Sequence, residues 1–223
     1  MKTLLTVIEF VGAVAFTLSG TIVAIRKKAD FVGALILSLI TVFGGGFLRD
    51  LTLGINPPHV LFDLEYQILA LVTVLLSLTF YHASFSYKVY NFLTKHEHDF
   101  ALEFTDAVGL ALFCVFGVET AMKVNADNKI LLAFCGVITG IGGGMLRDVL
   151  VQEIPFVFNR HIYFLPALFG SVLYSLTCTL DSKVIFMIIT MLLIITARVL
   201  AIIFRWNLPT VFNHHEKNGK LKE

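Results

Sequence analysis

The sequence predicts an all-α membrane protein: seven transmembrane helices, arranged as two inverted three-helix repeats plus a C-terminal helix. Three observations predict it. Seven hydrophobic stretches are separated by charged or turn-rich breaks, two distant parts of the chain resemble each other at a constant offset, and both carry a Gly-Gly-Gly-x-x-Arg-Asp signature inside an apolar segment. Hydrophobic residues make up 57% of the 223 and charged ones 15%, for a mean hydropathy of +0.84. A soluble domain of this size exposes charge over most of its surface, so this balance points to a bilayer as solvent.

The stretches run over residues 4–25, 31–53, 66–87, 101–121, 130–151, 162–180 and 184–204. Crossing ~30 Å of hydrocarbon takes about 20 apolar helical residues, and most of the seven reach that length. Met1-Lys2 before an apolar run resembles a signal peptide. Glu9 interrupts that run, however, and the segment recurs later as part of the repeat, so it reads as the first span. An odd number of spans places the termini on opposite sides. With the C-terminus fall Arg26, Lys27, Lys28, Lys88, Lys95, Arg160, Arg205, Lys217, Lys220 and Lys222; with the N-terminus fall Lys2, Lys123, Lys129 and Lys183. The positive-inside rule then puts the N-terminus outside and the C-terminus in the cytoplasm of an inner-membrane protein. A single transmembrane domain is expected over 1–212, with repeat one at 4–88, repeat two at 101–180 and the seventh helix at 184–206. A polar cytoplasmic tail follows at 213–223.

Glu9-Phe-Val-Gly12-Ala-Val-Ala-Phe16 matches Asp106-Ala-Val-Gly109-Leu-Ala-Leu-Phe113 at an offset of 97. After a one-residue insertion, Gly44-Gly45-Gly46-Phe-Leu-Arg49-Asp50 lies over Gly142-Gly143-Gly144-Met-Leu-Arg147-Asp148. Tyr66/Tyr163 and Ala70/Ala167 continue the match. Three spans per copy insert the second copy upside down. Such inverted repeats create a pseudo-two-fold axis in the membrane plane, with ion or substrate sites where the halves meet.

Each glycine inside a helix costs about 1 kcal/mol relative to alanine. Two roles offset that cost. The triplet lets a helix bend and free carbonyls as cation ligands, or it lets another helix cross closely, as in small-x-x-x-small packing. Arg49 and Asp50 are adjacent, so their side chains leave a helix about 100° apart. The expectation is a reciprocal clamp across the repeats, Arg49 with Asp148 and Arg147 with Asp50. The alternative is that both arginines extend to the membrane surface. Counting ~1.5 Å per residue sets the glycines near mid-depth and the charges nearer opposite mouths. Thr41 and Thr139 supply hydroxyls beside the triplets, for an ion or for their own helix. Glu9 and Asp106 sit near span starts, where the helix dipole accounts for them, and Glu119 and Lys123 are spaced to pair on one helix. Arg198, deep in the seventh span, requires an acidic partner, a phosphate or water.

Cys114, Cys135 and Cys178 lie in apolar segments without metal-type spacing, and the clusters His96/His98 and His214/His215 sit among solvated charges. No metal site and no cofactor is expected. A net charge of +1 gives no attraction to nucleic acid.

Seven spans with the paired Gly-Gly-Gly-x-x-Arg-Asp signature, closed by Arg198 and Arg205-Trp206-Asn-Leu-Pro209, resemble the prokaryotic branch of the trimeric intracellular cation channel family. The resemblance covers nearly the whole chain. It implies a homotrimer in the lipid bilayer, one pathway per protomer lined by bent second and fifth helices, and conduction of monovalent cations (K+ or Na+) favouring potassium. Residues Thr41, Gly44, Gly45, Gly46, Arg49 and Asp50, with Thr139, Gly142, Gly143, Gly144, Arg147 and Asp148, are then pore or gating candidates, and Arg198 a structural charge. The competing function is a secondary transporter of a small solute such as an amino acid, since inverted repeats are common among carriers. An enzyme is not expected: the chain has no H-E-x-x-H and no G-x-S-x-G.

Overall fold

The computed structural model describes residues 2–82, 100–159 and 162–206. Seven helices of fourteen residues or more make up this part: α1 (Lys2–Arg26), α2 (Phe31–Thr52), α3 (Leu64–His82), α4 (Phe100–Val124), α5 (Lys129–Leu150), α6 (Phe164–Thr177) and α7 (Lys183–Phe204). A 3-10 turn (His59–Leu61) precedes α3, and a one-turn helix (Phe156–Asn159) precedes α6. Among the described residues there is no strand. Five helices are long and apolar enough to cross a bilayer; α3 and α6 contribute shorter apolar stretches, Leu64–Thr79 and Phe164–Thr177. At ~1.5 Å per residue α6 is only about 21 Å long, less than the hydrocarbon thickness. The histidine clusters and the polar tail lie outside the described residues.

Helix boundaries follow the sequence signals. Asp30 caps α2 by accepting from the Gly33 N–H at 2.7 Å, and Asn128 caps α5 by accepting from the Leu131 N–H at 3.0 Å. At the other ends, the Ile55 N–H bonds to the Asp50 carbonyl and the Glu153 N–H to that of Asp148, both at 2.9 Å. Arg205 ends α7 in the left-handed region at φ 52°, with Trp206 N–H returning to Ala201 O.

Packing is that of a membrane protein. Ile188, Leu192 and Leu193 on α7 and Phe31, Ile36 and Leu51 on α2 face outward, while Ser38, Asp50, Asp106, Asp148, Arg147 and Arg198 are buried. A soluble fold would reverse that arrangement. Neighbouring helices approach on small residues. Gly20 of α1 sits on Ser38 and Thr41 of α2, and Gly117 of α4 sits in the same way on Cys135 and Thr139 of α5. A ring contact between Phe16 and Phe113, with centroids 5.1 Å apart, joins α1 to α4.

Candidate functional site

The two glycine triplets meet where α2 and α5 cross. Both helices run unbroken through them, and at this crossing the triplets serve close approach. A Cβ on Gly45 would stand 2.1 Å from the Thr139 carbonyl oxygen, and one on Gly143 would stand 2.0 Å from that of Thr41. Each glycine Cα–H therefore points at a backbone oxygen of the opposite helix, a reciprocal weak hydrogen bond that only glycine permits. Gly44 is closed off by Leu146, and Gly142 by Leu48 and Gly45. Gly46 and Gly144 differ: their Cβ positions face the side chains of Arg49 and of Asp106, Tyr163 and Arg147. The Thr41 and Thr139 hydroxyls donate back to the carbonyls of Leu37 and Cys135 on their own helices.

The reciprocal clamp does not form. Arg49 donates through Nε and Nη2 to Asp50 Oδ1, at 2.8 and 2.7 Å. Arg147 donates through Nε to Asp148 Oδ1 at 2.8 Å. Two physical reasons explain it. The helices cross antiparallel at the glycines, so Arg49 and Asp148 diverge to about 15 Å apart along the axes. Each aspartate is also anchored by its second oxygen, which accepts the N–H of His59 at 2.8 Å or of Phe156 at 3.0 Å. That anchor holds the carboxylate within reach of the long arginine stem beside it. The surface-seeking alternative fails too, since Arg49 is 5% exposed and Arg147 fully buried.

Around these pairs the two halves differ. On the Arg49 side lies a cavity of about 690 Å³, lined by Glu9, Gly46, Arg49, Asp63, Phe116, Lys123 and Thr139 among others. Its rim includes the exposed Phe62, Asp63 and Glu65, and the buried Thr139 lies at the crossing of α2 and α5. Three carboxylates (Glu9, Asp63, Glu65) face two cationic side chains (Arg49, Lys123), leaving an acidic balance.

The Arg147 side holds the corresponding positions of the second repeat, and there they are packed shut. Nη1 of Arg147 donates to Asp106 Oδ1 at 3.0 Å and to the Ser19 hydroxyl. Asp106, Asp148, Glu103 and Tyr163 are all buried, and the Tyr163 hydroxyl lies beside Asp106 at Gly144. One exchange accounts for much of the contrast. Where Arg147 meets the Ser19 hydroxyl, Arg49 meets the ring of Phe116, the residue 97 positions on, at 5.5 Å. A ring face attracts the guanidinium but accepts no strong hydrogen bond. Asp106 ion-pairs with Arg147, whereas Glu9 faces the cavity.

Two sequence expectations change here. Asp106 is a buried partner of Arg147, beyond what the helix dipole explains. Glu119 accepts from the Tyr174 hydroxyl at 2.5 Å, joining α4 to α6, while Lys123 lines the cavity. Ser19, Phe116, Tyr163 and Asp63 were not expected at the site. Their signal was the repeat itself: Ser19 and Phe116 align yet differ in chemistry. Arg198 is fully buried, and its Nη1 donates to the Ile162 carbonyl at 3.2 Å; among the described residues it forms no ion pair.

The family model described as "Glycine transporter" matches the chain twice, over residues 6–82 and 103–179, again 97 positions apart. The chain is 31% identical to the UPF0126 inner membrane protein YadS of Escherichia coli K12, over 96% of this chain and 98% of that one. It is 33% identical to a UPF0126 membrane protein of Vibrio cholerae over 77% of this chain and 67% of the relative. Its fold is similar to a prokaryotic TRIC channel crystallised in 0.5 M KCl, with TM-score 0.79, 31% identity, and coverage of 93% of this chain and all of that one. A structure solved to explain conductance through TRIC cation channels matches with TM-score 0.77 and 33% identity, over 92% and 96% of the two chains. The TRIC trimeric intracellular cation channel orthologue of Rhodobacter sphaeroides matches with TM-score 0.79 and 28% identity, over 91% and 99%. With both halves matched by one model and near full-length similarity to bacterial relatives, this multi-pass helical membrane protein belongs to the prokaryotic TRIC family.

Proposed function

We propose that the chain is a monovalent cation channel favouring potassium, a homotrimer in the inner membrane with one pore in each protomer. The observation that carries this reading is the acidic cavity that enters beside Glu9 and Asp63 and reaches Thr139 at the crossing of α2 and α5. Near full-length similarity to TRIC cation channels supports it. In this reading all seven helices span the membrane, α3 and α6 completing two inverted three-helix repeats within one domain over 1–212. The N-terminus faces outside and the tail at 213–223 the cytoplasm, so the cavity is the outer vestibule and the Arg147 cluster the inner one. The pore candidates keep two roles. Gly44, Gly45, Gly142 and Gly143 hold the crossing, with the backbone oxygens of Thr41 and Thr139. Gly46, Arg49 and Asp50 shape the outer mouth, and Gly144, Arg147 and Asp148 the inner one.

The gate is the inner cluster. K+ or Na+ passing there meets the Arg147 guanidinium between Asp106, Asp148 and Ser19. Opening swings Arg147 off Asp106, which leaves the Asp106 carboxylate to the cation. Removing one partner of a buried ion pair costs about 3–5 kcal/mol, so the sealed state is strongly favoured until something stabilises the open one.

Purified protein in a planar bilayer tests the reading. Unitary currents with a reversal potential following a KCl gradient are expected, larger in K+ than in Na+. The second reading, a carrier of a small amino acid, is favoured by the family model's description and by a cavity with its rim at one end. Saturable glycine counterflow in vesicles without unitary steps would establish the carrier instead.

A further inference from the structure

Helix α7 lies beyond both segments that the family model matches. The charge inside it, Arg198, is fully buried. Its guanidinium carbon sits 4.4 Å above the ring of Tyr163, and Nη1 donates to the Ile162 carbonyl at 3.2 Å. The Ile162 N–H in turn donates to the Trp206 carbonyl at 3.0 Å. So α7 holds the entry of α6 by both backbone groups of Ile162 and by the face of the next residue's ring. Nε and Nη2 of Arg198 have no hydrogen-bond partner among the described residues. Among the described residues the guanidinium is thus held by a ring and a carbonyl, which is a positioning contact.

What it positions lies one step further in. The Tyr163 hydroxyl stands beside Asp106 at Gly144, where Arg147 Nη2 also lies. Asp106 Oδ1 accepts from Arg147, which bonds Ser19 of α1. The other half lacks this arrangement. Tyr66, the counterpart of Tyr163, is met edge-on by Phe43 with centroids 5.2 Å apart, and it lines the cavity rather than a seal. The helix without a duplicate therefore touches the side of the molecule that is shut.

We infer that Arg198 is a positioning residue for the inner gate: α7 presses Tyr163 against Asp106 and so keeps the Arg147–Asp106–Ser19 seal closed. The inference rests on the reading of that cluster as the gate.

The test uses full-length protein with Arg198→Gln, which keeps a planar polar group but loses the charge over the ring, and with Arg198→Lys. In planar bilayers with KCl, Arg198→Gln is expected to raise open probability about tenfold with unitary conductance unchanged. Arg198→Lys, which keeps the charge, restores part of the closure. A merely destabilised protein would lose currents and would not separate the two variants in this way. A second measurement does not depend on conduction. Ser19→Cys is labelled by a water-soluble maleimide, with and without Arg198→Gln or Arg198→Lys, against the baseline of buried Cys114, Cys135 and Cys178. Labelling about tenfold faster in the Gln variant, and between the two in the Lys variant, supports the inference. Equal labelling with and without Arg198 overturns it, as does a change in unitary conductance without a change in open probability. Faster labelling in a protein that passes no unitary current removes the channel reading and leaves the role of Arg198 standing.

Discussion

Exchanging Gly45 for alanine should damage the protein, while the same exchange one residue later should not. The Cβ added at Gly45 would lie 2.1 Å from the Thr139 carbonyl oxygen, with the Thr139 carbonyl carbon at 3.0 Å. Backbone atoms cannot rotate away, so α2 and α5 must separate by about 1 Å, the distance to an ordinary carbon–oxygen contact. Overpacking of this kind costs roughly 1–3 kcal/mol. At Gly46 the nearest atom to a new Cβ is Arg49 Nη2 at 3.8 Å, which is ordinary contact with a movable side chain. Both alanines gain the same ~1 kcal/mol of helix propensity, so that gain cancels in the comparison and the overpacking remains. At about 2–4 °C per kcal/mol for a chain of this length, Gly45→Ala should melt roughly 2–12 °C below Gly46→Ala. Circular dichroism of the two purified variants during heating in detergent measures the gap. Equal melting temperatures, or a lower one for Gly46→Ala, would refute the tight crossing.

Three further outcomes follow from the same geometry. Asp106→Asn should raise open probability and lower the melting temperature, at the low end of about 3–5 kcal/mol because Asp148 still holds Arg147; bilayer recording and thermal melting check both. Tyr174→Phe removes the donor to buried Glu119 and should cost about 1–3 kcal/mol, read as a melting shift with unitary conductance unchanged. Lys27→Ala breaks the 2.6 Å pair with Glu153, whose side chains are 39% and 42% exposed, and should change stability by no more than about 0.5 kcal/mol.

The helices were legible because most are long apolar runs separated by charged or turn-rich breaks. The crossing was legible in outline, since three glycines at one depth in both halves have few other uses. The partners of Arg49 and Arg147 were not. Reasoning from the direction of Cα–Cβ bonds separates Arg49 from Asp50, but an arginine has a stem long enough to come round once a backbone N–H pins the aspartate. That N–H belongs to His59 or Phe156, beyond the helix end, and no periodicity reports it. The difference between an open side and a shut one was hidden for another reason. A repeat draws attention to what its copies share, whereas the asymmetry lies where they differ, at Ser19 against Phe116 and in a seventh helix with no counterpart.

The contact between Gly45 and Thr139, mirrored by Gly143 and Thr41, also bears on how this sequence can drift. When two side chains meet, a harmful enlargement of one is relieved by trimming the other. Here the opposing atom at each position is a carbonyl oxygen, which every amino acid carries. A selection for revertants of Gly45→Ala should therefore return glycine at that codon, or changes elsewhere that retilt a helix, and no compensating allele at Thr139.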